Sequence, residues 1–344
     1  MACFDHPEFD DHESIVFCAD ARTGLRAIIA IHDTTLGPAL GGCRVRAYES
    51  DAAALRDVLR LSRGMSYKNA LAGLPLGGGK AVLIADPQNG KTPERLASFG
   101  DQVDRLGGAY ITAEDSNSTP ADMEIIATRT AHVRNLGFGA GDSPSPVTAL
   151  GTWLGIQSGL EFAGVPLSDA VISVEGLGAV GMDLLHHLAE GGARLVVSDI
   201  DKAKTEEACR RFGASTVPAG TGHMVEAAVF APCAMGAGLN ARTIPQIRAR
   251  VIAGAANNQL ETPADGQRLK DQGIIYCPDY VVNAGGVLGI PLQGETVGME
   301  ERKRRAAIIR GTTLEVLERA ARENIAPHIA ADRMAQEIIL NARR

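Results

Sequence analysis

Apolar positions in the first half of the chain follow two different periods. The runs at 15–18, 27–32 and 81–85 are short and rich in branched residues, which predicts strands, whereas residues 51–65 repeat apolar side chains every three or four positions, which predicts a helix. The same rules predict a helix, a strand and a capped helix at 92–106, 109–112 and 119–126. Strands and helices therefore alternate in this half.

The second half repeats strand-helix-strand units, which are typical of a parallel sheet. A stretch rich in Gly, Ser and Pro at 137–146 separates the halves, and two helices are expected from about Met299 onward. We therefore predict an α/β fold with two domains, residues 1–139 and residues 140–326. A C-terminal helix at about 327–344 is expected to return to the first domain.

Composition fits this interpretation. A chain of 344 residues exceeds what one hydrophobic core usually organises. The apolar fraction of 45% and the charged fraction of 22% are those of a globular protein. The net charge of −7 argues against nucleic acid as the main partner, although it leaves room for a local cationic pocket.

The cysteines and the N-terminus indicate the compartment. The six cysteines form no CxxC pair and no zinc-like spacing, so we expect reduced thiols and no metal site. The first residues are acidic rather than basic, and no apolar run approaches the roughly 18 residues of a membrane span. We expect a cytoplasmic protein with no membrane partner.

The first chemical feature is a lysine at the end of a glycine cluster, Gly77-Gly78-Gly79-Lys80. An ATP-binding Walker loop is excluded, because Leu74 and Ala81 stand where that loop needs Gly and Ser or Thr. A tight turn with a solvated lysine is one alternative. The other is an amine held near a substrate by bare backbone, where burial and a second cation such as Lys68 favour the neutral, proton-accepting form.

The second feature is a dinucleotide fingerprint. The predicted strand 170–175 leads into Gly176-Leu177-Gly178-Ala179-Val180-Gly181, a helix follows, and a second strand at 194–198 ends at Asp199. A GxGxxG motif alone is weak, but this context makes it specific. The glycines would let a pyrophosphate approach the N–H groups of a helix N-terminus.

Asp199 would accept hydrogen bonds from the adenosine ribose and repel a 2′-phosphate, so NAD is expected rather than NADP. Lys202 and Lys204 could contact a phosphate and leave NADP open. A Rossmann-like domain that binds another nucleotide, or none, is the remaining alternative.

Taken together, the motifs resemble the glutamate/leucine/phenylalanine/valine dehydrogenase family, and most closely its leucine dehydrogenase branch. This resemblance covers nearly the whole chain. The motifs that carry it lie at 36–42, 64–68, 74–87, 112–115, 145–148, 254–258 and 283–287.

The resemblance implies an N-terminal substrate-binding and oligomerisation domain, a C-terminal Rossmann NAD-binding domain and a catalytic cleft between them. The implied reaction is the reversible oxidative deamination of an L-amino acid to a 2-oxo acid and ammonia. The family forms homo-oligomers, so we expect one here.

The resemblance also assigns roles. Lys68 would pair with the substrate α-carboxylate, and Lys80 would activate the water that attacks the imine. Asp115 would exchange protons with the substrate amine. Without the other motifs, Asp115 would be interpreted as a helix-initiating residue in a loop. Other substrate-binding positions implied by the resemblance are Gly41, Gly42, Met65 and Asn257, and other cofactor-binding positions are Thr148, Cys233 and Asn258. Cys233 is equally well read as a buried structural thiol.

By resemblance, the substrate side chain would contact an aliphatic wall of Leu40, Ala113, Val287 and Ile290. The wall has no cation for a second carboxylate, which disfavours glutamate and suits leucine, valine or isoleucine. The chain departs from the leucine branch beside this pocket: Ser116-Asn117-Ser118 replaces the usual Val-Gly-Thr, and 288–294 also differs. Phenylalanine or tryptophan therefore stays an alternative, and several substrates could be turned over.

Two other functions compete with this interpretation. A 2-hydroxy-acid dehydrogenase would place a histidine beside a carboxylate, but no histidine here, including His32 and His132, lies in such a motif. An NAD-binding regulatory protein without turnover would have no use for Lys68, Lys80 and Asp115 together.

Overall fold

The computed structural model describes residues 3–134, 143–234, 236–290 and 297–343. These residues form two compact units. The first contains the described residues of Met1–Asp142, Ile290–Thr296 and Ala335–Arg344, and the second contains those of Ser143–Gly289 and Val297–Met334. The predicted boundary at 139/140, and most of the 137–146 stretch, lies outside the described residues and stays a prediction.

The first unit is built on a five-stranded sheet of order β1-β2-β4-β3-β5. Strands β1 and β2 are antiparallel, as are β2 and β4, whereas β3 runs parallel to both β4 and β5. Its elements are β1 (Ser14–Asp20), β2 (Leu25–Asp33), β3 (Ala39–Arg46), α1 (Asp51–Leu71), β4 (Gly77–Ile84), α2 (Pro93–Asp104), β5 (Tyr110–Glu114) and α3 (Pro120–Ala127).

The second unit is built on a six-stranded parallel sheet of order β11-β10-β9-β6-β7-β8. This arrangement confirms the predicted α/β class. Its strands are β6 (Val171–Glu175), β7 (Arg194–Ser198), β8 (Ser215–Thr216), β9 (Ala227–Pro232), β10 (Ala249–Ile252) and β11 (Ile275–Tyr276). Its helices are α4 (Ser145–Ala163), α5 (Ala179–Glu190), α6 (Lys202–Phe212), α7 (Pro263–Asp271), α8 (Asp279–Val282), α9 (Gly285–Leu288), α10 (Met299–Ala306) and α11 (Ile308–Glu323); the last helix, α12 (Pro327–Ala342), begins in this unit.

Three elements differ from the predictions. Strand β3 was not predicted, because two glycines and two arginines interrupt its apolar pattern. Strand β4 begins at Gly77 rather than at Ala81, so the glycine cluster belongs to the strand. The chain from Met299 forms three helices rather than two, since a break at Ala307 separates α10 from α11.

The glycines of β4 allow close packing between elements of the protein itself. A Cβ atom at Gly78 would collide with the backbone of Ser66 in α1, and one at Gly79 would lie 2.8 Å from a ring carbon of Tyr110. The side-chain amide of Asn69 also donates a 2.6 Å hydrogen bond to the carbonyl of Gly77. Protein atoms therefore fill the space beside these glycines.

The two faces of the sheet in the first unit pack differently. Ala81 and Leu83 of β4 belong to a large apolar core with α2 and α3. On the opposite face, Val82 packs with residues of β2 and with α1. Lys80 is two residues before Val82 in β4, so its side chain lies on the same face as α1.

Within the described ranges, no helix is long and apolar enough to cross a membrane. The same ranges contain no group of three or more His, Cys, Asp or Glu side chains placed to hold a metal ion.

Candidate active site

Lys80 and Asp115 form a buried ion pair on the α1 face of the first sheet. Lys80 lies in β4 and Asp115 directly follows β5, so β3 runs between them. Lys80 is only 7% exposed, and the Asp115 side chain 13%. The structure thus brings together the two residues that the sequence placed at the centre of the chemistry.

Gly42 makes this contact possible. It pairs with Ala113 of β5, and the register of β3 against β4 places it level with Lys80. A Cβ atom at Gly42 would lie 2.6 Å from the Cβ of Asp115, closer than real side chains come. The lysine side chain therefore reaches across bare backbone to its carboxylate.

Asp115 is ionised despite its burial. Burial would raise the pKa of the carboxyl, but the ammonium of Lys80 and the guanidinium of Arg44 lower it, and the pKa falls to about 2. The Nε of Arg44 lies 3.9 Å from Oδ2 of Asp115, and the backbone N–H of Ser116 donates to Oδ1 at 2.7 Å. Arg44 was not predicted, because strand β3 was not predicted. Alternation along β3 puts Gly42 and Arg44 on one face of the sheet.

The turn after Asp115 is held by its own polar groups. The backbone N–H of Asp115 donates to the Ser118 hydroxyl at 2.8 Å, and the Ser118 N–H donates to the Asp115 carbonyl at 3.0 Å. Asn117 has a φ of 63°, a left-handed conformation that Gly and Asn adopt most easily. The departure from Val-Gly-Thr therefore keeps a residue suited to this backbone, and Ser118 keeps the hydroxyl.

Helix α1 carries the predicted substrate-binding residues Met65 and Lys68. They are three positions apart, so both project from one side of the helix, and both are half-buried. On the sheet, the Tyr110 hydroxyl donates a 2.6 Å hydrogen bond to the carbonyl of Gly41. That bond fixes the predicted substrate-bordering backbone of β3.

The residues of the predicted aliphatic wall belong to different units of the structure. Leu40 and Ala113 are buried, and alternation along β3 and β5 places them on the face of Lys80. Ile290 is buried as well and belongs to the first unit, whereas Val287 is half-buried in α9 of the second. The sequence departure at 288–294 extends beyond the described residues from Pro291 onward.

In the second unit, the glycine motif forms the turn between β6 and α5. Gly176 has a φ of 100°, and Gly181 packs closely on the carbonyl of Gly176. A Cβ atom at Gly178 would meet nothing within 4 Å, so this backbone borders open space. Gly178 is the N-cap of α5 and provides no side-chain cap. The backbone N–H groups of the first turn, which contains Ala179 and Val180, are therefore suited to bind an anion.

Asp199 braces this turn. Its Oδ2 accepts a 2.6 Å hydrogen bond from the backbone N–H of Leu177, and its Oδ1 accepts one of 2.8 Å from Asp201. An open groove of about 870 Å³ adjoins it, lined by the exposed Ile200 and by Lys202 among others. The carboxylate therefore lies between the glycine turn and a groove large enough for a nucleoside.

Asn257 and Asn258 lie in an exposed loop that hydrogen bonds to Asn283 and Asp279 hold in place. The side-chain amide of Asn283 donates to Asn257 Oδ1 at 2.8 Å and to the carbonyl of Ala255 at 3.1 Å. The backbone N–H of Asn258 donates to Asp279. Asn283 was given no role from the sequence, although it lies in one of the family motifs. Its place just before Gly285 and Gly286 was the signal that could have identified it.

Thr148 and Cys233 border the glycine turn and α9. Thr148 lies in the first turn of α4, where Gly285 allows α9 to pack closely against it. Burial raises the pKa of the Cys233 thiol to about 11, and the side chain packs on the main core of this unit. Cys233 therefore has the surroundings of a structural thiol beside the dinucleotide motif.

Two family profiles match this chain. One is described as Glu/Leu/Phe/Val dehydrogenase, dimerisation domain, and matches residues 12–132; the other is described as Glutamate/Leucine/Phenylalanine/Valine dehydrogenase and matches residues 198–342.

Full-length relatives agree with these matches. The chain is 45% identical to leucine dehydrogenase of Bacillus subtilis (strain 168), with all of this chain and 96% of the relative aligned. It is 42% identical to valine dehydrogenase of Streptomyces albus over 98% of this chain and 95% of the relative. The crystal structure of L-tryptophan dehydrogenase from Nostoc punctiforme superimposes with a TM-score of 0.84 at 43% identity, covering 97% of each chain.

Replacement of Gly42 by Ala should destabilise the first unit, because the added methyl occupies the space of Asp115. We expect a loss of about 1–3 kcal/mol, typical of overpacking, seen as a lower thermal midpoint. Gly64→Ala is the matched control, since a Cβ there meets nothing within 4 Å and the residue lies inside α1. Equal midpoints for Gly42→Ala and wild type would show that Gly42 does not govern the ion pair.

Proposed function

Because the chain belongs to the glutamate/leucine/phenylalanine/valine dehydrogenase family, we propose how its own residues divide the work of that reaction. The chain is an amino-acid dehydrogenase, an oxidoreductase that acts on CH–NH₂ donors with a nicotinamide cofactor. It converts an amino acid to a 2-oxo acid and ammonia by oxidative deamination.

The buried Lys80–Asp115 pair supports the proposed catalytic roles most directly. When bound, the nicotinamide accepts a hydride from the substrate α-carbon and leaves an imine. Lys80, as the neutral amine, takes a proton from the water that attacks the imine carbon. Asp115 takes a proton from the substrate ammonium before hydride transfer and later gives it to the nitrogen of the carbinolamine. Ammonia then leaves as the carbonyl forms, and the hydroxyl proton passes to the Asp115 carboxylate.

Lys68 is the proposed anchor for the α-carboxylate. It lies on α1 beside Ser66, whose backbone packs on Gly78, two residues before Lys80. The close packing of α1 on β4 fixes the helix relative to the catalytic strand. Asn257 is proposed as a further hydrogen-bonding partner of the substrate, with its amide orientation fixed by Asn283.

The proposed substrate is a branched-chain amino acid. Leu40 and Ala113 place aliphatic carbon on the same sheet face as the Lys80–Asp115 pair, and neither can neutralise a second carboxylate. Phenylalanine and tryptophan are the alternatives, since the relatives named above include a tryptophan enzyme as well as leucine and valine enzymes.

The proposed cofactor is NAD. Asp199 presents a carboxylate beside the glycine turn, where a 2′-phosphate would meet like charge. Lys202 lines the adjoining groove and is the residue that would favour NADP.

Wild-type enzyme should reduce NAD with L-leucine, L-valine or L-isoleucine faster than with L-phenylalanine, L-tryptophan or L-glutamate. Lys80→Ala should lower kcat on the order of 10²–10⁴-fold, since it removes an acid–base group, while NADH binding followed by fluorescence stays unchanged. Near wild-type turnover by a folded Lys80→Ala protein would remove this lysine from the mechanism. A preference for tryptophan would reassign the substrate without changing the reaction.

Replacement of Asp199 by Asn should narrow the ratio of kcat/KM for NAD over NADP by about 10-fold or more, because it removes a charge that repels the 2′-phosphate. Asn keeps one side-chain oxygen, which can accept one of the two bracing hydrogen bonds. Glu206→Gln, an exposed acid lining the same groove, is the control and should leave the ratio unchanged. A wild type that prefers NADP would refute the ribose assignment.

A homo-oligomer built through the first unit is also proposed. Residues 12–132 match a profile described as a dimerisation domain, and the edge strand β1 exposes Phe17 with 62% of its surface accessible. Phe17→Glu should lower the mass measured by sedimentation, whereas Met224→Glu, on an exposed residue of the second unit, should not. A monomeric wild type would contradict the proposal.

A further inference from the structure

Arg44 places a buried guanidinium between two carboxylates. Its NH1 donates to Oδ2 of Asp57 at 3.0 Å, and its Nε lies 3.9 Å from Oδ2 of Asp115. The arginine side chain is 14% exposed. Burial would lower the pKa of the guanidinium, but Asp115 and Asp57 more than offset this and raise it, so the positive charge is permanent.

The arginine is held on the side away from Asp115. The Tyr48 hydroxyl donates to Oδ2 of Asp57 at 2.6 Å, the same oxygen that accepts from Arg44. Burial and the adjacent Asp57 carboxylate raise the pKa of Tyr48, so the phenol stays a donor. Tyr48 and Asp57 therefore form a fixed support for the guanidinium.

The Nε of Arg44 has no hydrogen-bond partner among the described residues, although it is buried. The nearest carboxylate oxygen on that side is the one paired with Lys80. In the proposed mechanism, Lys80 is a neutral amine until it takes a proton from the attacking water. While Lys80 is neutral, Arg44 is the cation that remains beside Asp115, with its Nε 3.9 Å from Oδ2 of that carboxylate.

We propose that Arg44, supported by Asp57 and Tyr48, is a positioning residue that keeps Asp115 ionised and in place while Lys80 exchanges its proton. This inference rests on the roles proposed above for Lys80 and Asp115. Besides Lys80 and Arg44, the titratable groups of the described residues that interact with Asp115 include Glu114, Cys43 and Tyr110, and Asp57 lies on the other side of the arginine. Burial raises the pKa of each of the first three, and the thiol and phenol stay neutral across the assay range.

The test is the pH profile of kcat/KM for oxidative deamination of L-leucine by wild type and Arg44→Gln. Loss of the nearby cation favours the protonated form of the Lys80–Asp115 pair, so the acid limb should move to higher pH by about 1 unit or more. NADH affinity should not change, and Arg44→Lys should restore part of the shift. Arg26→Gln is the matched control, because Arg26 also pairs with an aspartate of α1 but is exposed.

A second variant gives the opposite sign. In Asp57→Asn the guanidinium keeps Asp115 as its one carboxylate neighbour, so the acid limb should move to lower pH. Damage to packing alone would lower the rate of both variants but would not shift the acid limbs of their pH profiles in opposite directions. The inference is overturned if the profile of Arg44→Gln superimposes on wild type after scaling, or if both variants move in the same direction.

Failure of the proposed function and failure of the role of Arg44 give different results. If the wild type does not oxidise amino acids, or if Asp115→Asn retains wild-type turnover, the proposed function itself fails. If Asp115→Asn is inactive but Arg44→Gln keeps the wild-type profile, only the role of Arg44 is lost. Should Arg44→Gln not fold, Arg44→Lys and Asp57→Asn still decide the question.

Discussion

The ion pair between Lys80 and Asp115 is the interaction on which the organisation of the first unit depends. Two opposite charges removed from water are stable only if their geometry is close and the remaining polar atoms find partners. Gly42 allows the close approach, and the turn after Asp115 supplies the N–H donor of Ser116. Arg44 extends the pair into a chain of alternating charges that ends on Asp57 near the surface of α1.

The glycines of β3 and β4 have two different structural roles. Those at 77–79 admit other parts of the protein, with α1 and Tyr110 filling the space that side chains would take. Gly42 instead keeps a path open between the side chains of Lys80 in β4 and Asp115 directly after β5. The same residue type therefore tightens packing at one place and permits a buried ion pair at another, and only the register of the strands separates the two uses.

Much of this arrangement could be predicted from local patterns. The strand bounds of β6 and β7, the glycine turn between β6 and α5 and the acid at Asp199 follow from periodicity and spacing within one βαβ unit. The assignment of Lys80 and Asp115 to one site came from family resemblance, whereas their ion pair was not predicted. Arg44 was out of reach, because periodicity gives the face of a strand but not its neighbours, and β3 lies between two strands that follow it in sequence. The bracing of Asn257 by Asn283 was missed for the same reason, since 26 residues separate them.

The left-handed backbone at Asn117 has a consequence for how this family diverges. A position confined to φ near 63° accepts few residue types, so evolutionary drift there exchanges Gly and Asn with little effect on the turn. Such an exchange beside Asp115 registers as divergence in a comparison of sequences while the carboxylate stays where it was.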